Sequence, residues 1–230
     1  MAPLILASIL ARSGVSGYRE FKLDGWTLEV EPALISKHPH LWAAVRQEAE
    51  WQFEEINRVV PDGPLDKLHK VTIWVHVVSP ETTCMAYHPA AEWLSQHHMD
   101  PRMAHCVEIG NAENFVSWTY EQPWMVLHEL AHSYHYLVLP KAENNPEVKA
   151  AYDAAMAAHR YDSVRHWNGK MKKAYAATNP MEYFAECTEA YFGTNDFYPF
   201  VRGELESADP DGYALMVKVW GIPVKRLPKD

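Results

Sequence analysis

Nine consecutive residues, Trp124 to His132 (WMVLHELAH), carry two histidines and a glutamate in the order H-E-x-x-H. At about 100° per residue in an α-helix, His128 and His132 lie about 40° apart on one face, one turn from each other. Two imidazoles so placed can each present a nitrogen to one Zn²⁺ at about 2.0–2.1 Å. Glu129 sits about 100° round the helix from His128, outside the coordination plane but within reach of a metal-bound water as a general base. With 13 His and 20 Glu among 230 residues, about 0.06 such motifs are expected by chance, so the match is informative. The apolar flanks Val126, Leu127, Leu130 and Ala131 draw the helix into a core, where ionisable groups are costly without a partner. A metal supplies that partner.

Catalytic zinc takes three protein ligands and a water. The segment Asn179-Pro180-Met181-Glu182-Tyr183-Phe184-Ala185-Glu186 offers the third ligand. Asn179 reads as a helix N-cap and Pro180 as the first helical residue. Glu182 and Glu186, at i and i+4, share a face. One carboxylate can bind the metal while the other accepts a hydrogen bond from a ligating imidazole and fixes its tautomer. Tyr183, Phe184, Ala185 and Phe192 make this a buried helix rather than a solvated pair of acids.

HELAH followed about fifty residues later by E-Y-F-A-E resembles the gluzincin class of zinc peptidases. Within that class it is similar to the family of the anthrax lethal factor catalytic domain and the Pro-Pro endopeptidases. The resemblance covers roughly residues 107–193. It implies a zincin-like fold, with one zinc per chain held by His128, His132 and Glu182. It also implies Glu129 as the base, Glu186 beside a ligating imidazole, and Tyr175, seven residues before Glu182, steadying the tetrahedral intermediate. In such folds an edge strand ahead of the active-site helix pairs with substrate backbone. That points to Asn111, Ala112, Asn114 and Phe115 as substrate contacts. The interval from His132 to Glu182 is longer than in the simplest gluzincins, and no cleavage preference carries over.

Metzincins require Gly at position 135 and His at 138, where this chain has His135 and Val138, so that class is excluded. His135 is then expected near the metal ligands or at the surface. Tyr87-His88-Pro89 reads as a structural turn, with a wall of the cleft as the alternative, Cys187 as a packed thiol, and Trp124 and Met125 as core. Three cysteines without a CxxC pair argue against a disulfide framework, with a Cys84–Cys106 bridge left open.

The elements that must position these residues are legible in outline. Tyr18 to Pro32 reads as a hairpin turning at Asp24-Gly25. Ala33 to Val60 has helical periodicity, with Leu41, Val45, Ala49, Phe53 and Ile56 on one face, and Pro61-Asp62-Gly63-Pro64 stops it. Lys70 to Val78 is a β-branched, central strand. Residues 79–104 form a long connection with a short helix at 90–98, of a length that is usually functional. Cys106 to Ile109 is a further strand, and Pro123 to Leu139 the motif helix. Helices at 146–159, 180–192 and 209–219 follow. The expected fold is α+β: a single zincin-like catalytic domain over 18–230, with a mixed β-sheet N-lobe to about 139, a helical C-lobe after it and the active-site cleft between them.

Charge and composition limit the alternatives. The formal charge is −9, from 21 Lys+Arg against 30 Asp+Glu. No basic block appears, which argues against nucleic acid as a partner. No run reaches the roughly 18 apolar residues of a membrane span. Pro3 to Ala11 has the length of a signal-peptide core, yet no Lys or Arg precedes it. Residues 1–17 therefore read as a leader or remnant export signal, with a lean toward a secreted or extracytoplasmic location, against a short buried strand or helix. The function expected is a zinc-dependent endopeptidase acting on a peptide or protein. A catalytically silent zinc-binding module and a zinc hydrolase of a non-peptide amide remain alternatives. Oligomeric state is left open.

Overall fold

In the computed structural model, which describes residues 12–13 and 17–225, a hairpin forms one side of the sheet. Strand β1 (Arg12–Ser13) pairs antiparallel with β2 (Arg19–Leu23), and β2 with β3 (Trp26–Val30). The connecting turn is Asp24-Gly25, both at positive φ (47° and 104°), which a tight two-residue hairpin demands and glycine adopts without strain. The rest of the expected leader, residues 1–11 and 14–16, lies outside the described residues.

The helix expected over 33–60 is two helices, α1 (Pro32–Lys37) and α2 (Pro39–Val59). Pro39 disfavours helical backbone in the residue before it, and His38 accordingly sits at φ −129°, ψ 52°. Helix α2 buries Val45, Ala49, Phe53 and Ile56, and Phe53 stacks on Trp26 with ring centroids 4.5 Å apart. The Pro61–Pro64 segment ends α2 but also opens a new helix, α3 (Asp62–Leu68), because proline is tolerated in a first turn.

Strand β4 (Thr72–Val75) is central, parallel to β3 on one side and to β6 (Val107–Ile109) on the other. The long connection between them is less irregular than its composition suggests. It contains β5 (Met85–Tyr87), which closes the sheet antiparallel to β6, and helix α4 (Ala91–Gln96). The strand order is β1-β2-β3-β4-β6-β5, so β5 is an edge. Helices α5 (Ala112–Trp118), α6 (Met125–Leu137) and α7 (Pro146–Ala157) follow. A small hairpin, β7 (Val164–Arg165) with β8 (Met171–Lys172), precedes α8 (Pro180–Phe192), α9 (Arg202–Ala208) and α10 (Pro210–Trp220). The fold is α+β. One continuous core runs from Trp26 through Val126 and Phe184 to Trp220. Among the described residues no helix is long and apolar enough to cross a membrane. Cys84, Cys106 and Cys187 are all free thiols, so no Cys84–Cys106 bridge forms.

Helices α6 and α8 lie against each other. Trp124, at the start of α6, fills the space beside Gly193, at the end of α8, where a Cβ would come within 1.9 Å of the indole. His135, farther along α6, meets Phe184 near the start of α8, with ring centroids 5.0 Å apart. The two helices therefore run in opposite directions. His135 is thus a core residue, 1% exposed, rather than a surface group. Burial pushes its imidazole down to about 4, so it packs as a neutral ring. The first turn of α8 is set by Asn179, whose Oδ1 accepts from the amides of Met181 and Glu182, each at 2.9 Å. Asn179→Ala removes that acceptor and should lower unfolding free energy by about 1 kcal/mol in urea denaturation, whereas Asn179→Asp should retain most of it. An unchanged midpoint for the alanine variant would show that the cap contributes nothing.

Candidate metal centre

His128 and His132 project from one face of α6 toward Glu182 in the first turn of α8. The two Nε2 atoms approach the same carboxylate oxygen, Glu182 Oε2, at 3.1 and 3.2 Å. All three potential ligand atoms lie within 4.8 Å of one another. Tetrahedral coordination with bonds of about 2.0–2.2 Å places neighbouring ligand atoms roughly 3.3 Å apart. These three side chains therefore fit a zinc-sized cation with little rearrangement. Burial opposes charge on Glu182, but its hydrogen bonds with His128 and His132 hold the carboxyl well below the usual carboxylate range. Burial likewise opposes charge on His128, and the flanking Glu182 and Glu189 carboxylates hold its imidazole well above its ordinary value.

The three residues open on a cavity of about 560 Å³, which Glu129 and Tyr175 also line. Glu129 Oε2 accepts the backbone N–H of Tyr87 at 2.9 Å, which ties the motif helix to the edge strand β5. The Tyr175 ring begins a single 3-10 turn just ahead of α8 and lies 6.3 Å from the His128 ring, centroid to centroid. Its phenol is raised above the usual value, by burial first and then by the Glu182 charge, so it stays protonated.

Two expectations need correction. Asn111, Ala112, Asn114 and Phe115 do not line the cavity. Asn111 caps α5, Ala112 and Phe115 are buried in the core, and Asn114 Nδ2 donates to the carbonyl of Thr83. The edge strand is β5 instead, and Tyr87-His88-Pro89 is cavity wall rather than a mere turn. Glu186 also differs from expectation. The bond to the His128 imidazole comes from Glu189, whose Oε1 accepts from His128 Nδ1 at 2.6 Å. Glu186 Oε2 accepts from Asn195 Nδ2 at 3.0 Å.

Glu189 escaped the sequence reading although a signal was present. Residues 182, 186 and 189 follow i, i+4, i+7 and form one stripe on α8. Asp196 and His166, also missed, complete the surroundings, with His166 Nε2 3.5 Å from Asp196 Oδ2. Burial raises the carboxyls of Glu186, Glu189 and Asp196, and for Glu186 and Glu189 the Asp196 charge adds to it. Only groups drawn together by the helix packing explain that crowding.

No protein-family model matches the chain, and no curated protein does. Among solved structures, the chain is similar to the Pro-Pro endopeptidase PPEP-2 from Paenibacillus alvei. The TM-score is 0.43 and the identity 21%, over 75% of this chain and 89% of that one. A likeness so distant assigns no activity.

The hydrogen-bond pattern separates the two buried acids of α8. Loss of the acceptor that orients a ligating imidazole commonly weakens metal binding about 10–100-fold, so Glu189→Ala should do so and Glu186→Ala should have a smaller effect. Zinc affinities from competition with a chromogenic chelator would test this. A larger loss for Glu186→Ala would reverse the assignment.

Proposed function

We propose that this chain is a zinc-dependent endopeptidase, with His128, His132 and Glu182 as metal ligands, Glu129 as general base and Tyr175 as oxyanion donor. The observation that carries the reading is the meeting of two imidazole nitrogens on one carboxylate oxygen, 3.1 and 3.2 Å away, beside a glutamate in an open cavity. When bound, zinc supplies Lewis acidity, making a water acidic and drawing charge from the scissile carbonyl.

The chain's own groups account for the remaining steps. Tyr87 N–H holds one oxygen of Glu129, and the other takes the proton of the attacking water and passes it to the leaving amine. Tyr175, half exposed at the cavity, donates its phenolic hydrogen to the developing oxyanion without adding charge to the ground state. The outer edge of β5 offers backbone groups to an extended substrate, which favours a peptide over a compact amide.

Digestion of a peptide library by the zinc-loaded chain, with and without chelator, tests the reading. Cleavage that chelator abolishes and added zinc restores is expected. Full-strength zinc binding with no cleavage would leave a binding module, and turnover of small amides alone would leave a non-peptide hydrolase.

Two variants assign the chemical roles. Glu129→Gln should keep fold and zinc but lose nearly all turnover, because an amide cannot accept the water's proton. Retained turnover would remove Glu129 from the base role. Tyr175→Phe deletes one hydroxyl and should lower kcat about 10²–10³-fold with KM and zinc content little changed, the pattern of an interaction made in the transition state. A silent substitution would leave Tyr175 a packing residue.

A further inference from the structure

Glu108 sits at the middle of β6 with its side chain fully buried. Sheet register places it beside Trp74 of β4 and Ala86 of β5. Residues paired in this way share a face. Trp74 belongs to a small cluster with Leu94, Met99 and Met103, whereas Val107 and Ile109 point into the main core with α6. Glu108 therefore supports the sheet from the face away from the metal centre.

A buried carboxylate is costly unless it is paired and hydrogen-bonded. Glu108 has three side-chain partners. Its Oε2 accepts from Thr82 Oγ1 at 2.5 Å and lies 2.8 Å from His88 Nε2. Its Oε1 lies 2.7 Å from His76 Nδ1, and His76 Nε2 is 2.8 Å from the Tyr18 hydroxyl. Burial would raise this carboxyl, but His76, His88 and Thr82 hold it well below the usual range, so it remains an anion.

Thr82 and His88 stand on either side of β5 along the chain, and both line the cavity. Between them the strand is pinned to β6 by the Gly110 amide on the Cys84 carbonyl and by the His88 amide on the Cys106 carbonyl. Antiparallel strands alternate the direction of their amides, so Tyr87 N–H points away from β6, and there it meets Glu129. One buried carboxylate thus grips both ends of the segment whose Tyr87 amide aims the proposed base.

We propose that Glu108 is a positioning residue for peptide cleavage: by gripping Thr82 and His88 it fixes the edge strand whose Tyr87 amide orients Glu129. The proposal rests on the peptidase reading of the metal centre. Misplacing a catalytic group by about 1 Å can cost about 10²-fold in rate, so a loosened wall should act on kcat.

The test uses the zinc-loaded full chain carrying Glu108→Gln, Thr82→Val or Thr82→Ser. It measures zinc content, backbone amide exchange over residues 81–89, and kcat and KM on a peptide that the wild type cleaves in the library digest. Thr82→Val, which deletes only the hydroxyl donor, should speed exchange over 81–89 and lower kcat about 10-fold with KM and zinc content little changed. Thr82→Ser should restore both. Glu108→Gln should have the larger effect, and if it fails to fold the Thr82 pair decides. Unchanged exchange in Thr82→Val would overturn the clamp. Faster exchange with unchanged kcat would overturn its role in the reaction. A wild type that cleaves nothing would defeat the peptidase reading, while the exchange data would still decide whether Glu108 holds the wall.

Discussion

Two imidazoles sharing one carboxylate oxygen set the geometry of the whole site. Each of the three groups is largely buried, and each alone would be costly to desolvate. Together they join α6 to α8 at one register, because only one axial offset brings Glu182 Oε2 to both histidines. The rest of the interface agrees with that offset. Trp124 is seated over Gly193 at one end and His135 against Phe184 at the other. The cap at Asn179 then matters beyond its own stability, since it fixes the turn from which Glu182 departs. A carboxylate in a first turn also lies near the positive end of the helix dipole, which favours its charge.

Three glutamates on a single stripe of α8 occupy different electrostatic states. Glu182 faces two imidazoles and is held as an anion. Glu186 and Glu189 lie deeper, among one another and Asp196, and are shifted the opposite way. Helical spacing places all three on one face but does not rank them. Their ranking follows from what α6 and the segment around Asn195 put opposite each residue.

This explains which parts of the site were legible in the sequence. The H-E-x-x-H turn, the Asn179 cap and the Glu182 stripe are local helical patterns, and they define the three groups that can hold a metal. The central strand, expected at 70–78 and found at 72–75, and the α8 boundaries are equally plain. The family resemblance implies for Glu186 the contact that Glu189 makes, and the i+7 continuation of the stripe is the signal that points to Glu189 instead. The break at His38 carried a signal, proline at 39, that the apolar periodicity on either side outweighed. The edge strand gave none. Met85-Ala86-Tyr87 lacks alternation and β-branched residues, and it is a strand only because β6 pairs with it. The expected contacts at 111–115 instead cap α5 and pack in the core.

The two sides of the cavity are thus built by different kinds of constraint. The side carrying His128, His132 and Glu182 rests on one helix pair, so its geometry is encoded within short stretches of sequence. The opposite wall is held by contacts far apart in the chain: Tyr18 on His76, His76 on Glu108, and Glu108 on Thr82 and His88. Pairing of β4 with β6 is what carries His76, just past β4, to Glu108. The two sides are linked by the Tyr87 amide donating to Glu129 and by the Cys84 thiol on Met125 Sδ at 3.4 Å. The proposed base therefore belongs to the motif helix by sequence but takes its orientation from the sheet. A chain that kept H-E-x-x-H and lost the buried network beneath β5 would still present the same three ligand side chains. It would lack the fixed Tyr87 amide that orients Glu129, the second residue of the motif.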